Sequence, residues 1–132
     1  MLKLLVTGGA GFIGSSFIKY IMNKDDISLI YNLDKLTYAG NLDNFKAVEY
    51  EENFKKHTFI KGDICDSKLV DELFSQFEID VVINFAAESH VDRSISNPRA
   101  FLDIDMIGTH TLLEAAIKNK NIQKFIQIST DE

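Results

Sequence analysis

Short apolar runs alternate with stretches in which apolar residues recur at helical spacing along the whole chain. The run Leu2–Thr7 predicts a first strand. Phe12, Ile13, Ser16, Phe17, Tyr20 and Ile21 fall at helical spacing and predict a helix over residues 12–23. Residues 29–33 predict a second strand, followed by a loop over 35–40 and a short helix starting near Asn41. Residues 58–61 predict a third, shorter strand. Asp66 or Ser67 caps a helix that runs to about Phe77. Residues 81–85 are apolar enough for a strand buried on both faces. Asn97-Pro98 joins a cap residue to a proline suited to the first helical position, predicting a helix to about Asn119. Phe101, Ile104, Ile107 and Leu112 form its core side. Residues 125–129 predict a fifth strand.

Regular alternation of strand and helix implies an α/β fold with a doubly wound parallel sheet and right-handed crossovers. With a glycine turn after the first strand, the expected strand order is 3-2-1-4-5, and the ligand crevice lies where the order reverses, at the carboxyl ends of strands 1 and 4. Four segments converge there: 8–14, 34–40, 85–93 and 129–132. Such folds usually continue past a fifth strand, so the 132 residues are expected to be one incomplete, Rossmann-like domain, cut off after strand 5 and lacking a substrate domain.

Composition narrows the partners. With 45% hydrophobic and 26% charged residues the chain is ordinary for a soluble globular domain. A net charge of −6 and no basic run argue against nucleic acid. No apolar run reaches the roughly 18 residues of a membrane span, and the first apolar stretch is too short for a signal peptide. The single cysteine, Cys65, excludes an internal disulfide and fits a reducing, cytoplasmic setting. It has no companion cysteine nearby, so a packing role is expected, and no metal site.

The candidate chemistry begins at Thr7-Gly8-Gly9-Ala10-Gly11-Phe12-Ile13-Gly14. A strand, a glycine turn and a helix in that order make a cradle for a dinucleotide diphosphate. Glycines allow close approach of the backbone, and the helix N-terminus offers unpaired N–H groups with a partial positive charge. Asp34 follows 20 residues after Gly14, at the tip of the second strand. A carboxylate there accepts from both ribose hydroxyls and repels a 2′-phosphate, which favours NAD over NADP, although Lys35 beside it weakens the argument.

The opening glycine motif resembles the extended short-chain dehydrogenase/reductase superfamily. Three further segments resemble the dTDP-glucose 4,6-dehydratases within it: residues 34–41 (DKLTYAGN), residues 86–94 (AAESHVDRS) and the terminal Ser129-Thr130-Asp131-Glu132. The resemblance implies NAD as cofactor and a dTDP-glucose substrate that leaves as dTDP-4-keto-6-deoxyglucose plus water, in deoxysugar biosynthesis. Hydride leaves sugar carbon 4, water is lost across carbons 5 and 6, and hydride returns to carbon 6. By the same resemblance Glu132 is the base at carbon 5, Asp131 the acid at the carbon-6 hydroxyl, and Thr130 a donor to the carbon-4 oxygen. An acid and a base that are both carboxyls need environments that separate their pKa values. Because neighbours on a strand face opposite ways, Asp131 and Glu132 reach one sugar only if the chain bends there.

The resemblance assigns Gly8, Gly11, Phe12, Ile13 and Gly14 to the diphosphate. Asp34, Lys35, Thr37, Ala39 and Gly40 go to the adenosine ribose, and Asp63 and Ile64 to the adenine. Ala86, Ala87 and Ser89 go to the nicotinamide side, and Glu88, His90 and Arg93 to the substrate. It also implies a homodimer that uses the long helix.

Two departures stand out. The superfamily's Tyr-x-x-x-Lys pair is expected beyond Glu132, and none of Tyr20, Tyr31, Tyr38 and Tyr50 is assigned that role, so this stretch alone is expected to be inactive. Asp105 stands where the family usually has asparagine, which removes two donors and introduces a charge expected to loosen the strand–helix contact below the site. A related nucleotide-sugar epimerase or decarboxylase, which usually lacks adjacent Asp-Glu after Thr, is one alternative. A non-catalytic dinucleotide-binding module is another.

Overall fold

A computed structural model describes residues 1–37, 40–87 and 95–129. Its strands are β1 (Leu2–Thr7), β2 (Ile27–Asp34), β3 (His57–Lys61), β4 (Val81–Asn84) and β5 (Lys124–Gln127). Helix α1 (Phe12–Ile21) follows β1, and α2 (Ser67–Gln76) joins β3 to β4. Two short 3-10 helices, Leu42–Phe45 and Glu52–Lys56, lie between β2 and β3. All pairings are parallel and the strand order is β3-β2-β1-β4-β5, as the alternation of elements predicts.

Each strand sends successive side chains to opposite faces, and both faces are covered. Leu5, Leu33 and Val82 pack with Val70, Leu73 and Phe74 of α2 and with Leu112. Leu4, Val6, Ile30 and Ile83 pack on the other side with Ile18, Ile21 and Met22 of the α1 region and with Phe45 of the first 3-10 helix. The run Val81–Asn84 is buried at every position, which is why its first three residues are all apolar. Asp66 caps α2 through its side chain, accepting from Leu69 N at 3.1 Å, and Asn41 caps the first 3-10 helix.

The chain departs from the sequence expectation in several places. The predicted helix over 98–119 is three pieces: α3 (Pro98–Leu102), a π-helical segment (Asp103–Gly108) and α4 (Thr109–Lys118). A π turn closes hydrogen bonds one residue later than an α turn and shifts the phase of everything after it. Gly108 and Leu112 therefore face inward, whereas Ile107, expected in the core, is 47% exposed. Ile104 is half-buried against the core, and the Phe101 side chain lies outside what is described. In α1 the buried side is Gly14, Ser15, Ile18 and Ile21, leaving Phe12, Ile13 and Tyr20 exposed. β5 runs over Lys124–Gln127 and not 125–129. Its neighbour among the described residues, β4, ends at Asn84, and the last register pair is Asn84 with Gln127.

Candidate functional site

The carboxyl ends of β1, β2 and β4 open onto one cleft. Its floor is the turn after β1. Gly8 has φ +69°, and a Cβ there would stand 2.6 Å from Ala86 N. The turn is thus pressed against the segment after β4, a placement closed to any side chain. Gly14 is equally tight, since its Cβ would run into the Gly8 carbonyl oxygen. The start of α1 can therefore lie directly over the turn. Gly11 is its N-cap, and the first-turn N–H groups of Phe12, Ile13 and Gly14 have no intrahelical acceptor. That end of the helix attracts anions.

Asp34 ties the turn to the next loop. Its Oδ2 accepts from Ala10 N at 2.9 Å and its Oδ1 from Leu36 N at 2.8 Å. Leu36 sits in the left-handed region, φ +58°. The Ala10 carbonyl in turn accepts from Asn41 N at 2.9 Å and from Asn44 Nδ2 at 3.0 Å. Gly40 N donates to the Thr37 carbonyl. Both backbone polar groups of Ala10 are thus held, its N–H by the last residue of β2 and its carbonyl by the segment that follows, and the cradle is set before any ligand arrives.

The far wall is the segment after β3. Lys35 Nζ lies 3.1 Å from Asp63 Oδ2, and Asp63 Oδ1 accepts from Cys65 N at 2.9 Å. Burial pushes the Asp63 carboxyl up, but the Cys65 N–H and the Lys35 ammonium outweigh it and leave the pKa below the usual carboxylate range. Cys65 Sγ points away from the cleft and donates to the Asp103 carbonyl. Burial, then the Asp63 charge, pushes its thiol up to about 11, so it is not a thiolate nucleophile at neutral pH. Ile64 is buried beneath Gly108 of the π segment.

A buried hydrogen-bond network knits the other end. Asn84 Oδ1 accepts from the Thr7 hydroxyl and from Ala86 N. Asn84 Nδ2 donates to Gln127 Oε1 at 2.8 Å and to Thr109 Oγ1 at 3.3 Å. Thr7 and Asn84 are completely buried, and every hydrogen-bonding capacity of the amide is engaged on at least one side. Beside this network lies a second, shallower cleft lined by Ala87, Asp105, Thr109, Gln127, Ile128 and Ser129. Asp105 is half-buried there.

Of the residues singled out from the sequence, Gly8, Gly11, Asp34, Lys35 and Thr37 line the main cleft. So do Gly40, Asp63, Ile64, Ala86 and Ala87. Phe12, Ile13 and Gly14 form the first turn of α1 at its rim. Ala39, Glu88, Ser89, His90, Arg93, Thr130, Asp131 and Glu132 lie outside the described residues. Asn41, Asn44 and the Thr7–Asn84–Gln127 network were not singled out. Thr7 and Asn84 carried a signal, each being a polar residue that closes a buried apolar strand. Asn44 carried none. Two Tyr-x-x-x-Lys spacings do occur in the chain. Tyr20 and Lys24 form a cation–π pair at the far end of α1, and Tyr31 is buried mid-strand, stacked on Phe77. Neither tyrosine reaches the cleft. No group of three or more metal-ligating side chains occurs among the described residues, and no described helix is long and apolar enough to cross a membrane.

Residues 5–132 match the family model described as GDP-mannose 4,6 dehydratase. A low-salt glycan biosynthesis protein of Haloferax volcanii is 50% identical over 131 residues, covering 99% of this chain and 40% of that protein. The dTDP-glucose 4,6-dehydratase of Haemophilus influenzae is 45% identical over 141 residues, covering 100% of this chain and 40% of that enzyme. Among solved structures, the dTDP-glucose 4,6-dehydratase of Bacillus anthracis in complex with NAD superposes with a TM-score of 0.81 at 40% identity, over 99% of this chain and 38% of that one. The chain thus spans about 40% of the length of the curated relatives it matches.

Proposed function

The chain belongs to the GDP-mannose 4,6 dehydratase family, and on that premise we propose that residues 1–132 are the NAD-binding domain of a nucleotide-sugar 4,6-dehydratase. Its reaction converts dTDP-glucose to dTDP-4-keto-6-deoxyglucose and water, a step of deoxysugar biosynthesis in the cytoplasm. The observation that carries this reading is the Asp34 carboxylate, fixed by two backbone N–H groups in the same cleft that the start of α1 overlooks. Each of its oxygens keeps a free acceptor position for a ribose hydroxyl. The cradle also fits a diphosphate, because Gly8 and Gly14 leave backbone bare where a Cβ would intrude. When bound, NAD supplies a reversible hydride acceptor.

The chain's own residues then divide the work. Phe12, Ile13 and Gly14 offer N–H groups to the diphosphate beside Gly8 and Gly11. Asp34, with Lys35, Thr37, Ala39 and Gly40, holds the adenosine ribose, and Asp63 with Ile64 the adenine. Ala86, Ala87 and Ser89 border the nicotinamide end. Glu88, His90 and Arg93 contact the nucleotide sugar, Arg93 being suited to a diphosphate. Thr130 donates to the carbon-4 oxygen, Glu132 removes the carbon-5 proton and Asp131 protonates the departing carbon-6 hydroxyl. The partner in solution is a second copy of the chain. Leu102, Met106, Leu113 and Ile117 support this, being large apolar side chains exposed on one continuous helical segment.

Thermal unfolding of the chain with and without ligand tests the reading. A ligand of the native state raises the midpoint by mass action, because it stabilises the folded chain by about 2.7 kcal/mol at a hundredfold excess over Kd. NAD⁺ is expected to raise it and NADP⁺ to have little effect. A folded chain indifferent to both overturns the proposal.

A further inference from the structure

Resting on the NAD-binding reading, we infer that Asp63 sets coenzyme selectivity by pairing with the Lys35 ammonium, so that Lys35 lines the ribose site without offering its charge to a 2′-phosphate. Three observations build the case. Among the described residues lining that cleft, Lys35 is the only cation, flanked in space by two acids, Asp34 and Asp63. Asp34 cannot swing aside to admit a 2′-phosphate, because Ala10 N and Leu36 N hold its two oxygens at 2.9 and 2.8 Å. The ammonium that could offset the resulting repulsion is spoken for, 3.1 Å from Asp63 Oδ2.

Asp63 is itself anchored. Its Oδ1 takes the Cys65 N–H at 2.9 Å, fixing the carboxylate at the start of the turn after β3. The residue that follows, Ile64, is buried under the π segment, so this turn has little freedom to shift. Lys35 is by contrast 56% exposed on a flexible stem and would be able to turn to a nearby phosphate if released. A 2′-phosphate carries between one and two negative charges near neutral pH, so its binding is governed by whether a cation meets it. Selectivity thus has a repulsive part at Asp34 and a sequestering part at Asp63, and only the first is visible from the position of one acid after the second strand.

Asp63→Asn isolates the second part. Asparagine keeps an oxygen for the Cys65 N–H while removing the charge that holds Lys35. Asp63→Ser, which also keeps an acceptor, is the second variant should the first unfold. Calorimetric titration of the full 132-residue chain with NAD⁺ and NADP⁺ gives the ratio of the two dissociation constants, which a general loosening of the cleft would not move. The ratio of the NADP⁺ to the NAD⁺ constant is expected to fall about fivefold, the scale of one half-exposed ion pair. Adding Lys35→Ala to the same variant is expected to restore the wild-type ratio. An unchanged ratio, or a fall that persists without Lys35, overturns the inference while leaving NAD binding intact. A wild-type chain that binds neither dinucleotide overturns the binding reading and this inference with it.

Discussion

Gly8 has no room for a side chain: its φ is +69°, and a Cβ would stand 2.6 Å from Ala86 N and 2.7 Å from the Phe85 carbonyl carbon. Both obstacles are backbone of a buried segment, which cannot step aside as a side chain would. Gly8→Ala is therefore expected to cost about 2–4 kcal/mol in urea denaturation and to abolish the NAD⁺-dependent rise in midpoint. His57 carries a second prediction. It lies among Phe45 and Phe54, with its Nε2 3.1 Å from Asn32 Nδ2, and burial pulls its pKa down from 6.5 to about 4. The folded chain thus favours the neutral ring, and between those values the unfolded chain binds more protons. The associated stability is whole above pH 6.5 and lost as the pH falls toward 4. After allowance for the ring's partial exposure the loss is about 1–2 kcal/mol. Denaturation between pH 7 and 4 measures it, and His57→Gln is expected to flatten the slope. At this scale the candidate site was partly legible. Asp34 stood at a telling distance from the glycines, whereas Asn44 touches Ala10 only because Phe45 anchors its 3-10 helix in the core.

The elements were legible wherever one period ran through a whole segment, as in β1, β4 and α2. The long helix was not, because the π segment changes its period midway without any residue that forbids an α turn. Its consequence is physical contact between the helix and the wall of the cleft. Cys65 Sγ donates to the Asp103 carbonyl, and Gly108 lies so close to Ile64 that a Cβ would come within 2.5 Å of Cγ1. In an exposed helix, alanine in place of glycine gains up to about 1 kcal/mol. Here Gly108→Ala is expected to cost about 1–3 kcal/mol, since Ile64 is buried and has little space to retreat. Chemical denaturation gives the sign, and a weakened NAD⁺ response in the same variant would reflect Ile64 being pushed into the cleft it lines.

For the whole molecule, the parallel sheet decides where the chemistry gathers. Four segments far apart in sequence reach one edge because every strand runs the same way. The helical segment on the outside leaves Met106 64% and Ile117 77% exposed, side chains that the proposed pairing with a second copy would cover. Sedimentation equilibrium is expected to show self-association that Ile117→Glu weakens at least tenfold, as a charge buried in an apolar contact does. The sequence by itself determined the strand order, the glycine cradle and the acid at the tip of β2. Those follow from local periodicity, from residues that alone tolerate tight turns, and from the handedness of crossovers. Tertiary structure alone decided which groups those residues meet. It paired Lys35 with Asp63, locked Ala10 between Asp34 and Asn44, and joined Thr7 to Gln127 through Asn84. A hydrogen bond or ion pair between residues 24 to 77 positions apart has no periodic trace in the chain. It exists only once the core has brought its two ends within about 3 Å.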